Sequence, residues 1–331
     1  MNSYAIALLL IFHFSPAFDQ TLKFPKSFSR QDSLKTQKTE GSLAANIIFK
    51  SDDGGLTWQD ISEGLPANQQ AEGFVEKNSE LYVRSGKGLY RGHANSAAPF
   101  WEKEIFPDGN SSIAAGKTGL VAFNYGGRFL QREKGTGLWS PMFTDFLGQD
   151  VRNVFEAKGK IFIGCDKGLF KSTDNGKEWR RVYDGGWVIK MVESDGILMA
   201  TSQTGILRST DDGENWDCVL SEGGVGIAIE RIKGGFAAIT CNTESETRRV
   251  RTSYDGGKSW QPIDAGLPAS LYIASITEVG ESFFCGHPNG IYRSSDKGKT
   301  WKLLFPAIKD KVFNLSVSGN VIYAMPKSGG C

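Results

Sequence analysis

The chain lacks a charge bias: 38 Lys and Arg stand against 37 Asp and Glu over 331 residues, a formal net charge of +1. A general electrostatic pull toward nucleic acid or an anionic membrane is therefore excluded. Histidine is scarce, at 3 residues, and the two outside the first apolar run, His93 and His287, fall in unrelated turns. A metal site of ordinary geometry is not expected, and no cofactor is implied. The 5 cysteines are odd in number and carry no C-x-x-C spacing, so neither a zinc site nor a disulfide framework is indicated. They read as thiols buried on strands, with a single bridge left open in an exported chain. G-x-S-x-G, H-E-x-x-H and phosphate-cradling glycine loops are all missing.

Long apolar runs are missing too, apart from the N-terminus. The stretch from Tyr4 to Phe14 is too short to span a bilayer, and Ser15 and Ala17 supply small residues after it. No basic residue precedes the run. The expectation is a secretory signal over 1–17, a flexible polar leader over 18–44 and one folded domain over 45–331. That places the protein outside the cytoplasm, secreted or periplasmic, with no membrane span after cleavage. "NSS" at Asn110 and "NLS" at Asn314 are glycosylation acceptors in a host that glycosylates.

What the chain has in excess is glycine, at 40 residues, together with 11% aromatics. That pairing suits short strands joined by tight turns. One phrase recurs: "SDDGGLTW" at Ser51, "STDNGKEW" at Ser172, "STDDGENW" at Ser209, "SYDGGKSW" at Ser253 and "SSDKGKTW" at Ser294. Trp58, Trp101, Trp139, Trp179, Trp216, Trp260 and Trp301 follow one another at intervals of 37 to 44 residues, and only Trp187 falls outside this lattice. A period near 40 with several short strands per unit is the signature of propeller blades. The units ending at Trp101 and Trp139 keep the spacing but have lost the phrase. After Trp301 the chain supplies "VFNLSVSG" and "NVIYAMP", while "NIIFKSDDGGLTWQDI" near residue 46 supplies the third and fourth strands of a blade. The expected fold is an all-β, seven-bladed β-propeller whose last blade is closed by N- and C-terminal strands. In each phrase the serine and aspartate accept backbone hydrogen bonds and pin the turn between strands three and four. Five equivalent aspartates around a ring cannot converge on one substrate, so they read as structural.

These phrases, S-x-D-x-G-x-[TSEN]-W, resemble the Asp-box (bacterial neuraminidase, BNR) repeat found in sialidases, sortilin-type receptors, some polysaccharide-degrading propellers and photosystem II assembly factors. The resemblance covers nearly all of 45–331 and is specific for fold but weak for function. Sialidases are similar only in the box: the chain has no Arg-Ile-Pro, and only Arg152 falls where an inner strand begins, so the arginine triad that the family uses cannot be assembled. The single domain and compact "GLFKSTDNGKEW" units look most like the assembly-factor type, which implies an exported or luminal binding scaffold.

In a propeller the loops joining strand four to the next strand one, and strand two to strand three, share a face, and the mouth of the channel on that face is the usual binding place. Aligned units put Gln70, Gly109, Asp150, Trp187, Val225, Tyr272 and Asp310 at the starts of the inner strands, with Arg152 two residues after Asp150. Trp187 stands out, because the lattice does not need it and "YDGGW" precedes it. Asp166 in "CDKG" and His287 in "HPNG" join the same face, as does "CNTESETRR". His287 with Asp166 would make an acid/base pair only if their loops meet. Asp150 and Asp310, two blades apart by the short route or three, would serve an inverting glycosidase only across the required gap. The candidate binding set is Gln70, Asp150, Arg152, Asp166, Trp187, Tyr272, His287 and Asp310, with no catalytic residue assigned. The function read from it is a non-enzymatic, monomeric scaffold that holds a protein or peptide; the alternative is a carbohydrate-active hydrolase or lyase, or a glycan-binding propeller.

Overall fold

The computed structural model describes residues 44–94, 96, 101–117, 119–133, 135–142 and 144–328; the signal and leader read over 1–17 and 18–44 lie outside them, apart from Ala44. The described residues form seven four-stranded antiparallel sheets and no helix. Six sheets are consecutive in the chain: blade one spans 71–104, blade two 112–142, blade three 151–183, blade four 188–220, blade five 223–262 and blade six 275–306. Blade seven takes Lys311–Ser318 and Val321–Ser328 from the end of the chain and Phe49–Ser51 and Gln59–Asp60 from its beginning. Phe49 registers opposite Ala324, Lys50 opposite Tyr323 and Ser51 opposite Ile322. The protein is a seven-bladed β-propeller with no open sheet edge at its seam.

Blade three shows how the unit is written. Val151–Ala157, Lys160–Cys165, Gly168–Ser172 and Arg180–Tyr183 follow one another with turns of two residues, two residues and the Ser172 phrase. Second strands alternate inward-facing apolar residues and are buried on both faces, as Phe162 and Ile163 are. The fourth strand begins one residue after the tryptophan, except in blade two, where it begins at Trp139 itself. In blades five and seven it shrinks to Gln261–Pro262 and Gln59–Asp60.

All five serine–aspartate turns share one bonding pattern. In the first, Ser51 Oγ donates to Asp53 Oδ1 at 2.9 Å and accepts from Gly55 N at 2.9 Å. The Asp53 carboxylate accepts from the Leu56 and Thr57 amides, both at 3.0 Å, and from Thr57 Oγ1 at 2.6 Å. Ser172 with Asp174, Ser209 with Asp211, Ser253 with Asp255 and Ser294 with Asp296 repeat the serine–aspartate bond at 2.7–2.8 Å. Because the Thr57 hydroxyl and amide stabilise its charged form, Asp53 is held down to about 2. Asp211 is also held to about 2, with the Asn215 side chain as the main cause. Gly298, at φ +84°, shows why the phrase needs glycine: a Cβ there would also lie 2.3 Å from the Cβ of Ile263 in the preceding blade.

The tryptophans rivet neighbouring blades. Trp58, Trp179 and Trp216 donate to the glycine carbonyl of their own turn. Trp101, Trp139 and Trp301 reach back to the previous blade, to the carbonyls of Ile61, Ile105 and Ile263 at 2.6, 2.8 and 2.7 Å. Trp101 is buried among Ile47, Ile48, Ile61 and Tyr323, so the blade that lost its phrase still closes onto blade seven.

Candidate functional site

The face opposite the serine–aspartate turns is built from the blade-to-blade connections and the hairpins between strands two and three. Backbone bonds staple these two loop sets together. Asp166 N donates to Asp150 O at 3.0 Å, Gln203 N to Trp187 O at 3.2 Å and Thr243 N to Glu222 O at 3.2 Å. The same device in successive blades fixes where each inner strand begins, and therefore which side chains rim the mouth.

Four residues meet where blades two, three and four adjoin. Arg152, on the first strand of blade three, pairs its Nε with Asp166 Oδ1. Asp166 also accepts from Tyr125 Oη at 2.6 Å. The Arg152 guanidinium carbon stands 5.7 Å from the Tyr125 ring centroid and 6.0 Å from that of Trp187. An arginine is thus flanked by two aromatic rings and neutralised by one carboxylate. The Arg152 hydrogen bond holds the Asp166 carboxyl below the usual carboxylate range, and the hydrogen bond to Asp166 raises Tyr125. Asp166 is therefore ionised and already committed to two donors. It is poorly placed to abstract a proton.

Tyr125 was not among the residues expected from sequence. It lies in "NYGG", the hairpin of blade two, whose weak repeat concealed its equivalence to the "CDKG" hairpin. Its loop is braced: Val151 N donates to Tyr125 O at 2.9 Å and Gly148 N to Gly126 O at 2.8 Å. A Cβ at Gly127, where φ is +81°, would fall 1.6 Å from the Phe146 carbonyl oxygen, so this close approach requires glycine. The bracing sets Leu147, 79% exposed, on the loop beside Tyr125, 52% exposed.

The other expected residues fall elsewhere. Gln70 fastens the seam: its Nε2 donates to Ser328 Oγ at 3.2 Å and its Oε1 accepts from Ser328 N at 3.1 Å. Tyr272 is half exposed in the connection to blade six, which Arg248 grips through the Ser270 and Ile273 carbonyls. Asp310 sits exposed in the turn before blade seven at φ +57°. It is three blades from Asp150 by the short route, not two. His287 is 2% exposed, its Nε2 bonded to Pro268 O at 3.0 Å and its Nδ1 accepting from Asn289 N at 3.1 Å. Burial lowers its pKa, so the ring is neutral. His287 belongs to blade six and Asp166 to blade three, and the pairing considered for them does not form. Among the described residues no group of three or more His, Cys, Asp or Glu is arranged to hold a metal ion. Cys165, Cys218, Cys241 and Cys285 are free; Cys165 and Cys285 are buried, whereas Cys218 is exposed, against the expectation of buried thiols throughout.

No protein-family model matches the chain, and no curated protein does. Solved structures do. An extracellular domain from B. thetaiotaomicron is similar at TM-score 0.59 and 13% identity over 75% of this chain. The GH74 xyloglucanase from Xanthomonas campestris is similar at TM-score 0.58 and 14% identity over 86% of this chain. The chain spans 36% of the first and 58% of the second. YCF48 bound to D1 peptide is similar at TM-score 0.55 and 15% identity, over 86% of this chain and 87% of that one. At these identities the likeness establishes the propeller fold.

Proposed function

We propose that this protein is an exported, non-enzymatic Asp-box scaffold that binds an extended peptide or a protein loop across its mouth face. The single observation behind this reading is the Arg152 guanidinium held between Tyr125 and Trp187 with Asp166 as its counter-ion. Two part-exposed rings and Leu147 offer apolar anchorage, and Asp150 lies beside them for a basic or hydrogen-bonding group. Rigidity lowers the ordering cost of binding, because five pinned turns and the inter-blade indoles hold the loops in place. YCF48, a propeller of comparable extent, is described with a bound D1 peptide, which supports the peptide reading. The signal over 1–17, the leader over 18–44 and an extracytoplasmic location belong to the same proposal. Arg152, Asp166 and Trp187 are the core of the site and Asp150 rims it; Gln70, Tyr272, His287 and Asp310 take no part.

Selection from a peptide-display library against the folded domain tests this. Enriched peptides that lose binding when Trp187 or Arg152 becomes alanine, at unchanged thermal stability, support the reading. Failure to enrich any sequence, or turnover of a polysaccharide that depends on Asp150, overturns it in favour of the carbohydrate-active alternative.

A further inference from the structure

A second site lies on the opposite face, between blades one and two, and it arises where the repeat fails. In three of the five blades that keep the phrase, the turn glycine leans on the third residue of the second strand of the preceding blade. A Cβ at Gly213 would lie 2.6 Å from Phe162, one at Gly257 1.9 Å from Met199, and one at Gly55 2.8 Å from Phe284. At these three boundaries the glycine packs directly on a large apolar side chain. Blade two has lost the phrase, and the described residues of its turn, Glu133 and 135–138, line an open space at the equivalent place. A cavity of about 900 Å³ opens there. The residue that stands where Phe162, Met199 and Phe284 stand is Tyr82, the third of its strand Glu80–Ser85.

The wall of this cavity is a connected polar array. Tyr82 Oη donates to Glu80 Oε2 at 2.5 Å. Arg91 reaches Glu80 at 3.2 Å and Glu104 at 2.9 Å, and Arg132 reaches Glu104 at 2.6 Å while its guanidinium covers the Tyr82 ring at 5.4 Å. Burial, then the bond to Glu80, pushes the Tyr82 hydroxyl up to about 12, so it stays a donor. Arg132 Nε–H is buried and meets no acceptor among the described residues. The described lining carries three basic residues, Lys77, Arg91 and Arg132, and three acidic ones, Glu80, Glu104 and Glu133.

We propose that this cavity binds a neutral polyhydroxylated molecule of one to three sugar rings. Arg91 and Arg132 already face carboxylates, so an anionic or cationic ligand on this array would have to break an ion pair in a partly buried place. A hydroxyl group both donates and accepts. It can use the spare carboxylate lone pairs without disturbing any pair. The volume lies within the range of about 300–1,000 Å³ found for small-molecule sites. Ile105, 68% exposed at the rim, offers an apolar surface for the C–H face of a ring.

This inference is independent of the peptide site on the other face. Its test is calorimetry and saturation-transfer NMR on the whole folded chain with glucose, galactose, maltose and cellobiose, and with glucuronate and glucosamine as charged counterparts. At least one neutral sugar is expected to saturate at millimolar concentrations or below, with an affinity insensitive to salt. Tyr82→Phe should weaken it about fivefold, the factor that one neutral hydrogen bond supplies, and should fold normally because phenylalanine holds the same position in blades three and six. Trp187→Ala should leave it unchanged. Saturation by none of the neutral sugars, tighter salt-sensitive binding of a charged one, or a loss caused by Trp187→Ala and not by Tyr82→Phe, each overturns the proposal.

Discussion

Gln70 and Ser328, 258 residues apart, exchange two hydrogen bonds, Ser328 N to Gln70 Oε1 at 3.1 Å and Gln70 Nε2 to Ser328 Oγ at 3.2 Å. The start of the first blade is thereby tied to the last described residue of the ring. A chain ending at residue 320 would leave Phe49–Ser51 without the strand Val321–Ser328 and blade seven without two of its ladders. Such a chain is expected to show no cooperative thermal transition, whereas Gln70→Ala should cost only about 1 kcal/mol. Calorimetry distinguishes the two, and an unchanged transition in the truncated chain contradicts a closed ring.

The serine–aspartate turns should act on stability and leave binding alone. Asp211→Ala removes the acceptor of the Glu214 and Asn215 amides and of the Asn215 side chain. The expected loss is about 1 kcal/mol, as for comparable capping bonds, measured by denaturant unfolding. Loss of peptide binding at unchanged stability would show that these aspartates have a role beyond the turn.

Acid should unfold the ring through the same turns. Asp53, Asp211 and Asp296 are each held to about 2, below the ordinary value near 4 that they regain when unfolded. The unfolded chain therefore binds these protons first as pH falls. The stabilisation is complete above about pH 4 and is lost toward pH 2. Denaturant midpoints measured at descending pH should fall mainly in that window; a flat profile across it contradicts the turn account.

Thiol reactivity should divide by burial. Cys218 is exposed, while burial pushes the Cys165 thiol up to about 12 and raises Cys285 strongly. A thiol reagent at neutral pH is expected to modify Cys218 quickly, and Cys165 and Cys285 only with denaturant. Rapid labelling of Cys285 in the folded protein would mean that blade six opens.

The fold was legible because its determinants are local. Turn chemistry needs a serine, an aspartate and a glycine within five residues, and the tryptophan lattice repeats at short range, so blade number and the shared seventh blade follow from spacing. The site was legible only in part. Asp150, Arg152, Asp166 and Trp187 could be placed together on one face because each lies at a fixed offset from a strong repeat. Tyr125 was not, because it comes from blade two, where the phrase is lost and the offset is hidden. His287 illustrates the reverse error: a histidine in a turn looks available in sequence, yet packing against Pro268, Asn289 and Tyr292 buries it. Which side chains meet across a blade boundary depends on three-dimensional contact that no single repeat encodes.

The most direct test of the account is the position of a selected peptide on the folded domain, read from amide chemical-shift changes or a co-crystal structure. The account predicts that the peptide lies over Tyr125, Arg152 and Trp187, with an apolar side chain against the rings. A peptide seated on the face of the serine–aspartate turns, or one that leaves the Trp187 indole undisturbed, would contradict it.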